Sequence, residues 1–153
     1  MERLFNPEQN RLIKERINKL TPHTNPLWGK MNVTQMLAHL QLPMEVAFGQ
    51  RQFKGGLMGF LFGKMAKKQL VNDKPFKKNS PTMKEFKTAG TNLSEKEFEN
   101  EKNKVLSYVD RFVTEGPKVI ANKKHPFFGD LTIDEWDTLQ WKHLDHHLHQ
   151  FGV

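Results

Sequence analysis

The sequence predicts an all-α protein, four helices in a single domain spanning residues 1–153. Apolar residues recur at three- and four-residue spacing in four separate stretches, each opened by a capping signature. No stretch of useful length alternates apolar with polar residues as a half-buried strand does. The chain is also long enough to bury a sizeable core, and its 12 Phe and 3 Trp supply the large anchors that such a core needs.

Asn6 before Pro7 opens the first helix: a capping side chain, then a proline at the position where its missing N–H costs nothing. Leu12, Ile13, Ile17 and Leu20 follow on one face, and Pro22 and Pro26 end the run. Asn32 with Gln35 three residues later forms a capping box for the second helix. Its stripe of Val33, Met36, Leu37, Leu40, Met44 and Ala47 closes near Gly49. Pro43 cannot donate to the His39 carbonyl, so this helix is expected to bend or open there. Ser94 and Glu97 form the box of the third helix, which carries Phe98, Val105, Leu106, Val109, Phe112 and Val113 to the Gly116-Pro117 stop. Thr132 and Glu135 open the fourth, along which Ile133, Trp136, Leu144, Leu148 and Phe151 recur.

A crossover of more than forty residues joins the second helix to the third, too long for a structureless loop inside a compact domain. Its stretch from Gly55 to Lys64 suits either a short helix or a lid across one end of the helices. This crossover also holds the charge. Of the formal +7, residues 51–87 contribute ten Lys or Arg against Asp73 and Glu85, and the rest of the chain is near neutral. Lys64, Lys67 and Lys68 are candidates for an anion-attracting lid, with Phe60 and Phe62 covering the site, while the plainer reading is a solvated lysine-rich crossover. Phe53, Phe76 and Phe86 lie among these cations as a nucleic-acid surface would arrange them, but no nucleic-acid motif accompanies the charge, and that partner is disfavoured. The absence of cysteine excludes disulfides, iron–sulfur clusters, thiolate metal ligands and a cysteine nucleophile. No signal-peptide core and no run approaching about 20 apolar residues is present, so a cytoplasmic protein without membrane association is expected.

Seven histidines stand at 23, 39, 125, 143, 146, 147 and 149, four of them within one seven-residue window of the last helix. At about 100° per residue, His143 and His147 border the apolar stripe and His146 and His149 turn toward water with Lys142 and Asp145. His143 and His147, at i and i+4, have the spacing that lets two imidazoles on adjacent turns bind one metal ion. The second helix offers His39, also at the edge of its apolar stripe, as a third ligand. Gln35 and Gln140, one turn before His39 and His143, are candidates to hold imidazole tautomers by hydrogen bonds. The competing reading is structural: core-edge histidines donating to carbonyls, or a cation-rich helix carboxyl end favoured by the dipole.

The stretches Trp28-Gly29-Lys30-Met31-Asn32-Val33-Thr34-Gln35-Met36-Leu37-Ala38-His39-Leu40, Leu131-Thr132-Ile133-Asp134-Glu135-Trp136 and Trp141-Lys142-His143-Leu144-Asp145-His146-His147-Leu148-His149-Gln150-Phe151-Gly152 resemble the DinB/YfiT-like superfamily, in particular a small DinB-like branch. The likeness runs through nearly the whole chain in order, and the middle segment matches least. It implies a four-helix bundle of up-down-down-up topology. It also implies a metal site of one histidine on helix two and an HxxxH pair on the last helix, here His39, His143 and His147. Relatives include thiol-dependent S-transferases and isomerases, and metal-dependent hydrolases, and such bundles often pair as homodimers; the family alone does not fix a reaction.

Three neutral imidazoles leave a dipositive ion with an open position, as in catalytic rather than structural zinc sites. Such an ion activates water near neutral pH or holds a low-molecular-weight thiol as thiolate. Zinc is the first choice, and nickel, iron and manganese also accept this donor set. The expected partner is a small-molecule substrate. Asp134 and Glu135 read as helix-dipole compensation rather than a general base. A non-catalytic reading stands beside the enzyme: a metal-binding or dimeric helical binding protein, with Trp28, Trp136 and Trp141 available either to a partner or to the core.

Overall fold

The computed structural model describes residues 2–53, 63, 65–68, 72, 74–80, 82 and 84–153. Among them four long helices dominate: α1 (Pro7–Lys19), α2 (Val33–Ala47), α3 (Phe98–Thr114) and α4 (Ile133–Gln150). The Asn6 side chain caps α1 by accepting from the amides of Glu8 and Gln9. The boxes Asn32/Gln35 and Thr132/Glu135 open α2 and α4 as their sequence spacing requires. The Ser94/Glu97 box opens a 3₁₀ turn, Glu95–Glu97, which runs directly into α3. α2 continues through Pro43 as a helix, and the Pro43 carbonyl accepts from Gln140 Nε2 at 3.2 Å.

The core is built where these helices meet. Ile13, Ile17, Met36, Leu37, Leu40, Met44, Val105, Val109, Phe112, Trp136, Leu144 and Leu148 are all buried in one cluster. Leu12 and Ile133, expected on apolar faces, are 45% and 44% exposed. The inner face of α1 centres on Asn10, Ile13 and Ile17, so Leu12 falls about 130° away from it. Asn10 is buried because its amide donates to the carbonyls of Leu4 and Val109. Trp136 is fully buried, and Trp28 and Trp141 are half-buried.

α1 and α2 each pack against both α3 and α4. Hydrogen bonds give the chain directions. Asn10 reaches Val109 while Lys102 reaches the carbonyls of Asn18 and Leu20, so α1 and α3 run antiparallel. Leu4 and Arg16 meet Asp137 and Asp145, so α1 and α4 run parallel. Gln41 meets Glu101 and Glu45 meets Lys104 and Tyr108, which makes α2 and α3 parallel. His39 faces His143 while Pro43 faces Gln140, which makes α2 and α4 antiparallel.

Residues 48–97 connect α2 to α3. The stretch from Gly55 to Phe62, Lys64 and the lid phenylalanines Phe60 and Phe62 lie outside the described residues. Of this connection, residues 65–68 are helical, Lys84–Phe86 form a 3₁₀ turn, and Phe86 and Thr88 are buried against the helices. One feature departs from an all-helical reading. β1 (Lys124–His125) and β2 (Gly129–Asp130) form a two-residue antiparallel pair, too short to leave an alternating signature. Gly129, at φ +75°, closes its turn. None of the described helices is long and apolar enough to cross a membrane.

Candidate metal centre

His39 and His147 are buried and His143 is partly exposed, and one ligand nitrogen from each lies within 4.8 Å of the other two. His39 Nε2 and His143 Nε2 are 2.9 Å apart, and the three ring centroids are 4.7 to 4.8 Å from one another. A tetrahedral zinc with Zn–N bonds of about 2.0–2.1 Å needs nitrogens about 3.4 Å apart, so adjustments of tenths of an ångström to about an ångström close this cluster around an ion. His39 is held there by its place beside Met36 and Leu40 on the buried stripe of α2, opposite α4. His143 and His147 come from consecutive turns of α4.

The outer nitrogens of His39 and His147 are fixed. His39 Nδ1 donates to the Phe86 carbonyl at 2.6 Å. His147 Nδ1 donates to Gln150 Oε1 at 2.7 Å, and Gln150 Nε2 in turn donates to the Trp28 carbonyl at 2.7 Å. Since a backbone carbonyl only accepts, the Nδ1 proton of His39 is assigned by its partner. The Trp28 carbonyl likewise orients the Gln150 amide so that its oxygen faces His147. Both rings therefore present Nε2 lone pairs to the shared space.

Burial is the first cause holding all three imidazoles neutral. It lowers His39 against the opposing pull of the Phe86 carbonyl, and lowers His143 well below the usual histidine value. His147 falls to about 3, mainly by burial and then by the neighbouring His39.

The supporting residues differ from those read in sequence. Gln35 closes the α2 capping box through Oε1 and donates to the carbonyls of Thr91 at 2.9 Å and Ala89 at 3.4 Å, so its bonds go to the cap and to the segment that carries Phe86, not to an imidazole. Gln140 donates to Pro43, and its Oε1 has no partner among the described residues. The groups that do hold the rings are Phe86 and Gln150. Gln150, at i+3 from His147, was within reach of helical spacing; the Phe86 carbonyl carried no sequence signal.

His146 does not turn to water. It is half-buried between Trp28 and Phe76, with ring centroids 5.9 and 6.1 Å away, and its ring lies 5.0 Å from that of His147. The reason is the 72–80 segment, which folds over this face of α4: Lys142 donates to the Asn72 carbonyl at 2.9 Å and lies over the Phe76 ring, and Lys78 lies over Trp28 at 4.5 Å. His149 is exposed and pairs with Asp145. Of the expected lid lysines, Lys64 lies outside the described residues and Lys68 is exposed. Lys67 donates to the Asp130 carbonyl at 2.7 Å and pairs with Glu135 at 2.9 Å. Glu135 precedes His143 by eight residues, about 12 Å along the helix, so Lys67 braces the start of α4 rather than the histidines.

Residues 8–152 match a family whose description is a protein of unknown function, DUF1569. The chain belongs to this family. No curated protein and no solved structure matches it. The family assignment therefore covers the whole of the region that builds the triad and names no reaction.

Proposed function

We propose that the chain is a divalent-metal-dependent enzyme, a hydrolase or a small-thiol-dependent S-transferase, with His39, His143 and His147 as the ligands of one ion and zinc first among the candidates. The observation that carries this reading is the proton arrangement of the triad. His39 and His147 both turn Nε2 lone pairs inward, and His143 has at most one Nε2 proton with which to meet them. A second proton is disfavoured by burial. A divalent cation meets all three lone pairs at once, which favours a metal over a purely structural histidine cluster. Four-coordinate zinc on three imidazoles keeps one position for water or substrate, lowering the pKa of that water toward about 7 or holding a thiolate.

The residues around the triad support a small anionic substrate or cofactor. Lys78 over Trp28 and Lys142 over Phe76 flank His146, beside His147. The pairwise helix directions support placing these residues on an up-down-down-up four-helix bundle of the DinB-like kind, and a homodimer belongs to the same proposal.

Elemental analysis of untagged protein, beside a His39→Ala/His143→Ala/His147→Ala variant, tests the centre. Near-stoichiometric metal in the parent and none in the variant is expected. Equal metal in both, or none in the parent after incubation with zinc, nickel or manganese, refutes it. Metal that is bound without an exchangeable water position favours the non-catalytic reading.

A further inference from the structure

His125 is a third buried histidine, outside the triad, and its protonation is fixed by its own turn. Its Nδ1 accepts from the amides of Phe127 at 3.0 Å and Phe128 at 3.2 Å. An imidazole nitrogen that accepts two N–H bonds carries no proton, so the proton of the neutral ring is on Nε2. Burial keeps the ring neutral, lowering it to about 4. The ring packs at 4.6 Å from Phe128, 5.2 Å from Trp136 and 6.4 Å from Phe86, and the residue is 5% exposed. No acceptor for Nε2–H occurs among the described residues.

Two of its neighbours connect it to the helices and turn that carry the triad. Phe86, against one side of the ring, is the residue whose carbonyl holds His39. Trp136, against another, lies on α4 seven residues before His143, on the same helical face. The tautomer is also the reverse of theirs: His39 and His147 carry their protons on Nδ1, whereas His125 carries its proton on Nε2.

We propose that His125 is a further catalytic residue of this site, a fixed neutral donor whose Nε2–H bonds an oxygen of the small molecule held at the triad. The class of ligand it selects is one with an acceptor oxygen next to the metal-binding atom, such as a carboxylate or an activated carbonyl. Two donated backbone bonds hold the ring in place, so no reorganisation is needed when charge develops on that oxygen. The inference rests on the metal-centre reading above.

The test uses the full chain loaded with cobalt(II), with acetate as probe and the visible absorption of the metal as readout. Acetate is expected to bind His125→Phe about tenfold or more weakly than the parent, at unchanged cobalt stoichiometry, because a hydrogen bond to a charged oxygen is lost. Equal affinity in the two proteins, or no binding of acetate by the parent, overturns the proposal. Should His125→Phe fail to fold, ¹⁵N-histidine NMR of the unaltered zinc-loaded chain decides: His125 is expected to carry its proton on Nε2, and that resonance to shift with acetate. A proton on Nδ1, or a resonance that acetate leaves in place, overturns the proposal equally. Failure to take up cobalt or zinc sinks the triad reading and this one together, whereas full metal with unchanged acetate affinity sinks His125 alone.

Discussion

Gly29 is the position at which a single methyl group should disturb the site without touching a histidine. It sits at φ +86°, and a Cβ built there would lie 2.5 Å from Gln150 Nε2. That nitrogen donates to the Trp28 carbonyl while the oxygen of the same amide holds His147, so Gly29→Ala must displace the Gln150 side chain and loosen two hydrogen bonds together. Two bonds at about 1 kcal/mol each, with a further ~1 kcal/mol for an alanine in the left-handed region, give a loss of about 3 kcal/mol. Zinc affinity should fall by about 10- to 100-fold, the usual effect of losing the partner of a ligand histidine. Urea unfolding of the metal-free chain reads the first quantity, and competition with a chromophoric chelator reads the second. Gly90→Ala is the control: its Cβ would meet nothing within 4 Å, and stability and affinity should both stay close to the parent's. Gln150→Leu separates the two effects by removing the His147 partner without backbone strain. Parent-like zinc affinity in both Gly29→Ala and Gln150→Leu would refute the assignment of Gln150 as the group that orients His147.

The metal-free chain should lose stability as pH falls. Histidines 39, 125, 143 and 147 are all lowered by burial, His125 to about 4 and His147 to about 3, so the unfolded chain takes up protons below about 6.5 that the folded chain does not. Stability is then full above pH ~6.5 and drops toward pH ~4, with His125 alone accounting for about 3 kcal/mol; a flat urea midpoint from pH 7.5 to 4.5 would contradict this. Asp137 works in the opposite sense. It is fully buried, accepts from the Leu4 amide at 2.8 Å, and burial raises it from 3.8 to about 6. The folded chain therefore binds the proton more tightly, and the cost of the charge is absent below pH ~4 and complete above pH ~6. Asp137→Asn, which keeps an acceptor for Leu4, should gain about 2 kcal/mol at pH 8 and nothing at pH 4; an equal change at both pH values would show that Asp137 acts through packing instead.

The parts of this protein legible in its sequence are those governed by local rules. Helix starts were legible because Asn6, Asn32 and Thr132 cap through side chains two or three residues from their partners. The His143/His147 pair was legible because helical spacing puts both on one face, and His39 because its helix has one polar ring at the margin of its apolar stripe. What escaped was set by contacts distant in sequence. His146 faces water on an isolated helical wheel and is covered only because Phe76, seventy residues earlier, reaches it. Gln35 and Gln140 stand one turn from histidines, yet their amides bond to loop and α2 carbonyls fifty or more residues away. The His125 turn consists of two-residue strands closed by Gly129, below the length at which alternation can be seen.

The anchors of the triad tie loop order to the site. The two backbone carbonyls behind the outer nitrogens both lie outside the long helices: that of Phe86, in the 3₁₀ turn after the crossover, bonds His39 directly, and that of Trp28, in the α1–α2 connection, acts through Gln150. The Phe86 segment is held on α2 by three contacts of Gln35, its side-chain amide to the carbonyls of Thr91 and Ala89 and its backbone carbonyl from the Thr88 hydroxyl. The Trp28 segment is held on α4 by the Leu27 amide, which donates to the Gln150 carbonyl at 2.7 Å. An ion that requires the Nε2 lone pairs of His39 and His147 also requires both of these segments docked, since undocking frees the rings to rotate and change tautomer. Metal binding and loop docking are then one linked equilibrium, and an ion at 100 times its dissociation constant adds about 2.7 kcal/mol to the docked state. The helices place the three histidines, and the two connections decide whether those histidines act as a single ligand set.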